Sequence, residues 1–236
     1  MEKIKEEYYF GKPNALNSVD CVIFGYNFKE LKVLLIKKRE EDPGPYKWGL
    51  PGGYLEDDLT LEETARKLLS RLTGIDQVFL QQFGTFSEVD RHPVARVITT
   101  AFYSLVSPDK YHLKPSWKAY DVKWWAIDNV PGLEFDHNKL LSRGLKKLRK
   151  DAKSKPIGLN LMPEKFTLPQ LENMYEVILG TELEQRNFRK KPFKLDIIDK
   201  LPEKLHKMDG KAGRKPNLYK FNKSKYRVLE RDGYFF

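Results

Sequence analysis

Five acidic side chains, Glu56, Asp57, Asp58, Glu62 and Glu63, gather between a double-glycine turn at Gly52 and Gly53 and an apolar helical run that ends at Leu72. A metal-assisted hydrolase needs such a cluster, because hard divalent cations prefer oxygen ligands and, once bound, neutralise a diphosphate and activate the attacking water. The helical run works against that chemistry. Its interior carries Lys67, Leu68, Arg71 and Leu72; leucine ligates nothing, and a guanidinium repels a metal ion at short range. Its other features serve folding. Gly52 and Gly53 permit a sharp turn, Gly74 suits a helix C-terminus, and Leu61, Ala65, Leu68, Leu69 and Leu72 recur at helical spacing, which predicts a core-facing helix. His92, His112, His137 and His206 have no metal-ligand spacing. Neither a metal site nor a cofactor is expected.

The segment from Gly53 to Ile75 resembles the Nudix box, written G-x5-E-x7-R-E-U-x-E-E-x-G-U with U aliphatic, and the spacing fits without a gap. The first box Glu falls on Leu59, the Arg-Glu pair on Lys67 and Leu68, and the Glu-Glu pair on Arg71 and Leu72; Gly53, Leu69, Gly74 and Ile75 keep the expected type. A scaffold without its carboxylates implies that the protein is not an enzyme. The alternative is an active, metal-dependent Nudix pyrophosphohydrolase of a nucleoside diphosphate derivative, using the displaced acids Glu56, Asp57, Asp58, Glu62 and Glu63.

Elements must position this segment. Val19 to Tyr26 and Leu31 to Lys37 are apolar, β-prone runs joined by Asn27-Phe28-Lys29-Glu30, which predicts a hairpin. Strands are predicted at Val78 to Phe86, Val97 to Val106 and Val122 to Ile127, and a basic helix near Asn138 to Lys150. This order suits an α/β sandwich, and the Nudix resemblance implies an α/β/α sandwich on a mixed sheet. From Lys147 to Pro156 the composition turns to Lys, Arg, Asp, Ser and Pro, as in a linker or a frayed helix end. The boundary is set near Ser154, giving domains of 1–154 and 155–236.

The 236-residue chain has a net charge of +10 and a pI near 9.4, which points to a polyanionic partner. Cys21 sits in an apolar run and reads as a reduced core residue, and one cysteine allows no disulfide within the chain. Met1 to Tyr9 alternates charges, and no apolar stretch approaches the ~20 residues of a membrane span. A soluble, cytoplasmic protein without membrane contact is expected.

The positive charge concentrates late in the chain. Thr167-Leu168-Pro169-Gln170 has the form of a capping box, Leu171, Met174, Tyr175, Ile178 and Leu179 form an apolar face, and Gly180 ends the helix. A second helix starting near Glu184 carries Arg186, Asn187, Arg189, Lys190 and Lys191, so the pair reads as a helix-turn-helix. A basic helix by itself is usually a solvated face. Here a basic turn, Lys211 to Pro216 with Arg214 and Lys215, and a strand-like Asn217 to Phe221 add a wing. Arg186 and Arg189 suit guanine, Asn187 suits adenine, and the other cations suit phosphates. Pro192 falls inside the second helix and predicts a kink or an early end.

Phe166 to Leu171, Arg186 to Lys190 and Gly213 to Pro216 look like the winged helix of Nudix-related bacterial transcription regulators, and the likeness runs from about Val19 to Phe221. That family joins a usually non-hydrolysing Nudix domain to a C-terminal winged helix-turn-helix domain. Its branches include regulators of NAD metabolism that sense ADP-ribose and sugar regulators that sense arabinose. The resemblance implies a homodimeric, effector-responsive regulator bound to a double-stranded DNA operator, read as a repressor or a dual regulator. It leans to a sugar effector, on Glu184 to Lys190 and Leu218 to Asn222, with ADP-ribose close behind. It also directs attention to Asp90, Arg91 and Arg96, and to Asp136 and His137, as effector contacts: the arginines for phosphates, the others for sugar hydroxyls. Two structural readings stand beside these, Asp136 as a helix cap and Arg91 paired with Asp90 or Glu88.

Overall fold

The computed structural model describes residues 14–38, 47–115, 119–204 and 216–231. Its central strand, β1 (Leu16–Tyr26), is buried on both sides, so its alternation divides two apolar faces rather than an apolar from a polar one. Val22, Phe24 and Tyr26 enter one core, and Val19, Cys21 and Ile23 enter the other. The cysteine thiol is free and buried there, and burial pushes its pKa up, with Asp20 adding to the effect.

Along one edge β1 runs parallel to β6 (Val97–Val106), from Leu16 opposite Val97 to Gly25 opposite Val106. Two strands divide its other edge. β2 (Leu31–Lys38) pairs with its C-terminal end, Phe24 opposite Val33, and β4 (Gly52–Tyr54) pairs with its N-terminal end, Asp20 opposite Gly52. The β1–β2 turn forms as predicted: Asn27 Oδ1 accepts the Lys29 and Glu30 amides at 3.2 and 3.1 Å, and Phe28 takes a φ of 68°. The seven-stranded mixed sheet also contains β3 (Trp48–Gly49), β5 (Gln81–Phe86) and β7 (Ala119–Ala126).

Two strand predictions shift. Residues 78–80 lie outside β5, because Gln77 adopts a φ of 51° and Arg66 Nη1 takes the Val78 carbonyl at 2.5 Å. β7 starts at Ala119, and Ile127 begins a 3-10 turn instead of ending the strand.

Helix α1 (Leu61–Thr73) packs on one face of the sheet and α2 (His137–Ser154) on the other, which makes the α/β/α sandwich. A capping box at Thr60 and Glu63 starts α1, and Gly74 ends it in the left-handed conformation at φ 78°. α1 faces the core less completely than its spacing predicts: Ala65, Leu69 and Leu72 are buried, whereas Leu61 and Leu68 are half-buried. α2 crosses β1 at Gly144, where an added Cβ would stand 3.3 Å from both Val22 methyls. The basic stretch read as a linker or a frayed helix end is helical to Ser154. It holds because Leu148 and Ala152 are buried, while the buried Asp151 binds Lys147 at 2.8 Å and accepts a hydrogen bond from Tyr103.

The C-terminal part is the helix-turn-helix with its wing. α3 (Leu168–Leu179) has the predicted capping box, with Gln170 Oε1 accepting the Thr167 amide at 2.8 Å, and ends at Gly180 with φ 68°. α4 (Gln185–Lys194) follows, capped by Glu184, whose carboxylate accepts the Asn187 amide at 2.9 Å. The helix does not end at Pro192 and closes two residues beyond it. Proline stands near the helix's C-terminal end and the chain runs helical to Lys194, although proline has no amide to give the helix. β8 (Ile198–Lys204) and β9 (Asn217–Phe221) form the antiparallel wing, β9 also pairs with Phe166, and α5 (Lys223–Arg231) closes the fold. The wing tip with Arg214 and Lys215, and the Met1 to Tyr9 segment, lie outside the described residues.

The two parts share one core. Phe166, Met174, Tyr175, Ile178 and Phe188 belong to the same apolar cluster as Val22, Leu140 and Leu148. Asn173 Nδ2 donates to the Tyr26 hydroxyl at 3.2 Å and to the Phe28 carbonyl at 3.1 Å, and Arg149 Nε donates to the Ile178 carbonyl at 3.2 Å. No described helix is long and apolar enough to cross a membrane.

Candidate functional site

Asp20 anchors the floor of the cleft. It is the carboxylate in the otherwise apolar centre of β1, 6% exposed between β4 and β6. Gly52 lies so close that a Cβ on it would come within 2.2 Å of Asp20 Oδ1 and 2.6 Å of the Val19 carbonyl. The glycine is required here for approach and not for an unusual φ. Thr99 on β6 donates its hydroxyl to Asp20 Oδ2 at 2.8 Å.

Three of the five predicted effector residues converge on this carboxylate. Arg91 donates from Nε and Nη2 to both oxygens of Asp136, at 3.1 and 2.8 Å, and its Nη2 lies 3.6 Å from Asp20 Oδ2. His137 accepts the Leu50 amide on Nδ1 at 3.0 Å and turns Nε2 to within 3.6 Å of Asp20 Oδ1. With Nδ1 accepting, the neutral ring carries its proton on Nε2 and presents it to Asp20. Asp136 precedes α2 but makes no side-chain cap, since Arg91 holds its carboxylate. Asp136 thus occupies the N-cap position through its backbone alone, and the Arg91 side chain pairs with it instead of with Asp90 or Glu88.

Asp90 and Arg96 stand apart. Asp90 is exposed, and Arg96 is exposed with Nη1 donating to the Ser87 and Glu88 carbonyls at 2.7 and 3.0 Å, where it braces the loop. Above the floor lies a cavity of about 160 Å³ whose lining includes Asp20, Gly53, Tyr54, Arg91, Phe135 and His137. The Phe135 ring, 48% exposed and held at a φ of 48°, has His92 at 4.8 Å and His137 at 5.7 Å between centroids, a shelf of rings over a polar floor. Of the two aspartates, Asp20 lines that floor and puts carboxylate oxygens, which only accept, beside the Arg91 guanidinium. Such acceptors suit hydroxyl groups of a sugar, and Arg91, for which the residue type alone suggested a phosphate contact, turns Nε and Nη2 to Asp136. Asp20, Thr99 and Tyr54 were missed in the sequence; a carboxylate interrupting the apolar β1 run was the signal for Asp20.

Charged side chains on and before the box helix are engaged in ion pairs and a helix cap. Lys67 Nζ and Arg71 Nη1 reach Glu56 at 2.5 and 3.4 Å, Glu62 pairs with Arg66 at 2.6 Å, and Glu63 caps Thr60. Leu68 faces Gly53, where an added Cβ would lie 3.1 Å from Leu68 Cδ1, and Leu72 is 5% exposed. Among the described residues no three His, Cys, Asp or Glu side chains come together as a metal-holding group.

On α4 the candidate DNA contacts divide. Phe188 turns inward onto Tyr175, at 5.1 Å between ring centroids, and leaves Arg186, Asn187 and Lys190 exposed on the outer face. Arg189 is engaged elsewhere: its Nε and Nη2 donate to the two oxygens of the buried Glu172 on α3, at 2.5 and 3.0 Å, and that hydrogen bonding raises its pKa. Lys191 lies on the same helix.

Comparisons with known proteins match both parts of the chain. The NUDIX domain model matches residues 16–144, and the NrtR DNA-binding winged helix domain model matches residues 158–221. The ADPR responsive transcriptional repressor NtrR of Acinetobacter baylyi is 31% identical over 214 residues, covering 89% of this chain and 83% of that protein. The crystal structure of Shewanella oneidensis NrtR complexed with a 27mer DNA superposes with a TM-score of 0.73 at 28% identity, over 93% of this chain and 96% of that one. The NUDIX domain of the same protein, crystallised with ADP ribose, matches with a TM-score of 0.55 at 28% identity, over 63% of this chain and 99% of that one.

Proposed function

This chain belongs to the Nudix family, in the branch that joins the domain to an NrtR-type DNA-binding winged helix, and we propose that it is an ADP-ribose-responsive transcriptional repressor that binds its effector without hydrolysing it. The observation that carries the reading is the pairing of Glu56 with Lys67 and Arg71 beside an intact polar floor. A carboxylate claimed by two cations does not recruit Mg²⁺, so the diphosphate stays uncleaved. The Asp20 carboxylate on the floor accepts from ribose hydroxyls, the Phe135 and His92 rings cover them, and the remainder of the ligand extends past the rim, since about 160 Å³ houses only part of such a molecule.

ADP-ribose is preferred to a free pentose because the Acinetobacter repressor is named for its response to ADPR and the Shewanella domain was crystallised with ADP ribose. No relative above lends similar support to arabinose. The division near Ser154 separates sensing from DNA binding, and two copies present α4 to a pseudo-palindromic operator, Arg186 and Asn187 to base edges and Lys190 to phosphates. Effector can change operator affinity only through different affinity for the DNA-bound and free arrangements. The core shared between the two parts gives that difference a path.

A mobility-shift titration with DNA from the protein's own promoter region tests the reading. Expected are a shift at low salt, its reversal by ADP-ribose and not by arabinose, and no release of AMP from ADP-ribose with Mg²⁺. Metal-dependent turnover abolished by substituting Glu56, Asp57 and Asp58 would establish the pyrophosphohydrolase instead.

A further inference from the structure

A larger cavity, of about 770 Å³, shares no lining residue with the effector pocket. Three parts of the chain build it. The Nudix domain contributes residues 77–79 and 81, the end of β6 and the turn at Lys110 and Tyr111; the connector contributes residues 155–161 apart from Leu159; and the C-terminal domain contributes Phe221 and one side of α5.

The charge of this cavity is one-sided. Lys110, Lys155, Lys223 and Arg227 line it, and no aspartate or glutamate does. Carboxylates also lie nearby. Asp151, beneath Tyr103, is held by Lys147 and by the Tyr103 hydroxyl, and Asp76, near Tyr111, and Asp109, next to Lys110 in the chain, are exposed to solvent. Among the described residues, the side chains of Lys110, Lys223 and Arg227 form no ion pair with any of them. Like charges held together at a concave surface raise its positive potential and draw anions. The interior is different in kind: Tyr103, Tyr111 and Tyr226 stand with Leu105, Ile157 and Phe221, and the Phe221 and Tyr226 rings lie 5.5 Å apart. A cavity of this size, with an aromatic interior and a cationic lining, is dimensioned for a small molecule.

We propose that this interdomain cavity is a second ligand site, for a small molecule that joins an aromatic ring to phosphate, as a nucleoside phosphate does. Such a ligand touches both domains at once. It therefore stabilises one relative arrangement of the Nudix domain and the winged helix, and acts on operator affinity separately from the effector cleft. The inference stands without the effector assignment above.

Calorimetric titration of the full-length protein with AMP and with adenosine tests it. AMP is expected to bind the native protein, adenosine far more weakly, and a Lys110→Gln/Arg227→Gln variant is expected to lose about tenfold in AMP affinity for each cation removed. Phe135→Ala, which alters only the effector pocket, is expected to leave AMP binding unchanged. Absence of AMP binding, or AMP binding that survives the double variant and disappears in Phe135→Ala, overturns the proposal.

Discussion

Arg189 on α4 holds both carboxylate oxygens of Glu172 on α3, at 2.5 and 3.0 Å, with Glu172 only 4% exposed. The pair crosses the contact between the two helices of the helix-turn-helix. A buried carboxylate without its cation carries a large desolvation cost, and the bidentate geometry fixes the rotation of α4 as well as its distance from α3. Arg189 in this state is a strut for the recognition helix, and its donors face the protein.

Arg189→Ala is expected to lower thermal stability and operator affinity together. A loss of about 1–3 kcal/mol is anticipated, below the value for a fully buried pair because the arginine side chain is 41% exposed. Thermal unfolding and operator titration of this variant and of Glu172→Leu/Arg189→Leu separate the two roles, since the double variant restores stability by removing both charges. A variant that changed base preference at unchanged stability would return Arg189 to base reading.

Arg186→Ala and Asn187→Ala are expected to relax base preference. Lys190→Ala should instead weaken binding to all sequences and reduce the salt slope by about one. The distinction follows from position: all three are exposed, with Phe188 anchoring the inner face of the helix. Operator and scrambled DNA titrated over a range of salt concentrations provide the measurement.

Arg91→Ala leaves Asp136 and Asp20 facing each other without their guanidinium, at side-chain exposures of 6% and 9%. Destabilisation of about 3–5 kcal/mol is expected, together with loss of the thermal shift that ADP-ribose produces. Asp136→Asn keeps a hydrogen-bond acceptor for Arg91 and should cost less. Unfolding curves for both, with and without ADP-ribose, decide the point.

Gly52→Ala tests the approach of β4 to β1. A methyl 2.2 Å from Asp20 Oδ1 and 2.6 Å from the Val19 carbonyl cannot be accommodated unless the strands separate. Reduced stability and weakened effector binding are expected, measured by thermal unfolding and calorimetry. Gly132→Ala, where nothing lies within 4 Å of the added carbon, is the control expected to behave as the parent.

Leu68→Glu/Leu72→Glu is expected not to gain hydrolysis. Lys67 and Arg71 still hold Glu56, and a carboxylate at the buried position 72 lowers stability before it ligates anything. Release of AMP from ADP-ribose with Mg²⁺, followed beside the unfolding temperature, checks both statements.

Much of the fold was legible because it rests on local signals. The apolar run of β1, the capping box at Thr167, and the glycines at 74 and 180 each act within a few residues, and each formed as its chemistry requires. Signals depending on partners far along the chain were misread or missed. The basic stretch before Ser154 reads as a linker or a frayed helix end until Leu148 and Ala152 are buried, and Leu68 reads as core until Gly53 lies against it.

The sequence by itself determined the class of each domain and the loss of the box carboxylates, since glycines, caps, periodicity and the absence of a ligand-bearing side chain are properties of the residues themselves. Only the tertiary structure decided what the charged residues do. Arg91 and Arg189 resemble free cations in the chain, yet the first is neutralised by Asp136, 45 residues away, and the second by Glu172, 17 residues away on the preceding helix. Asp20 becomes the centre of the cleft because β4, β6 and the start of α2 all pack against it. An ion pair depends on distance and desolvation in space, and neither is encoded at the position of the charge alone.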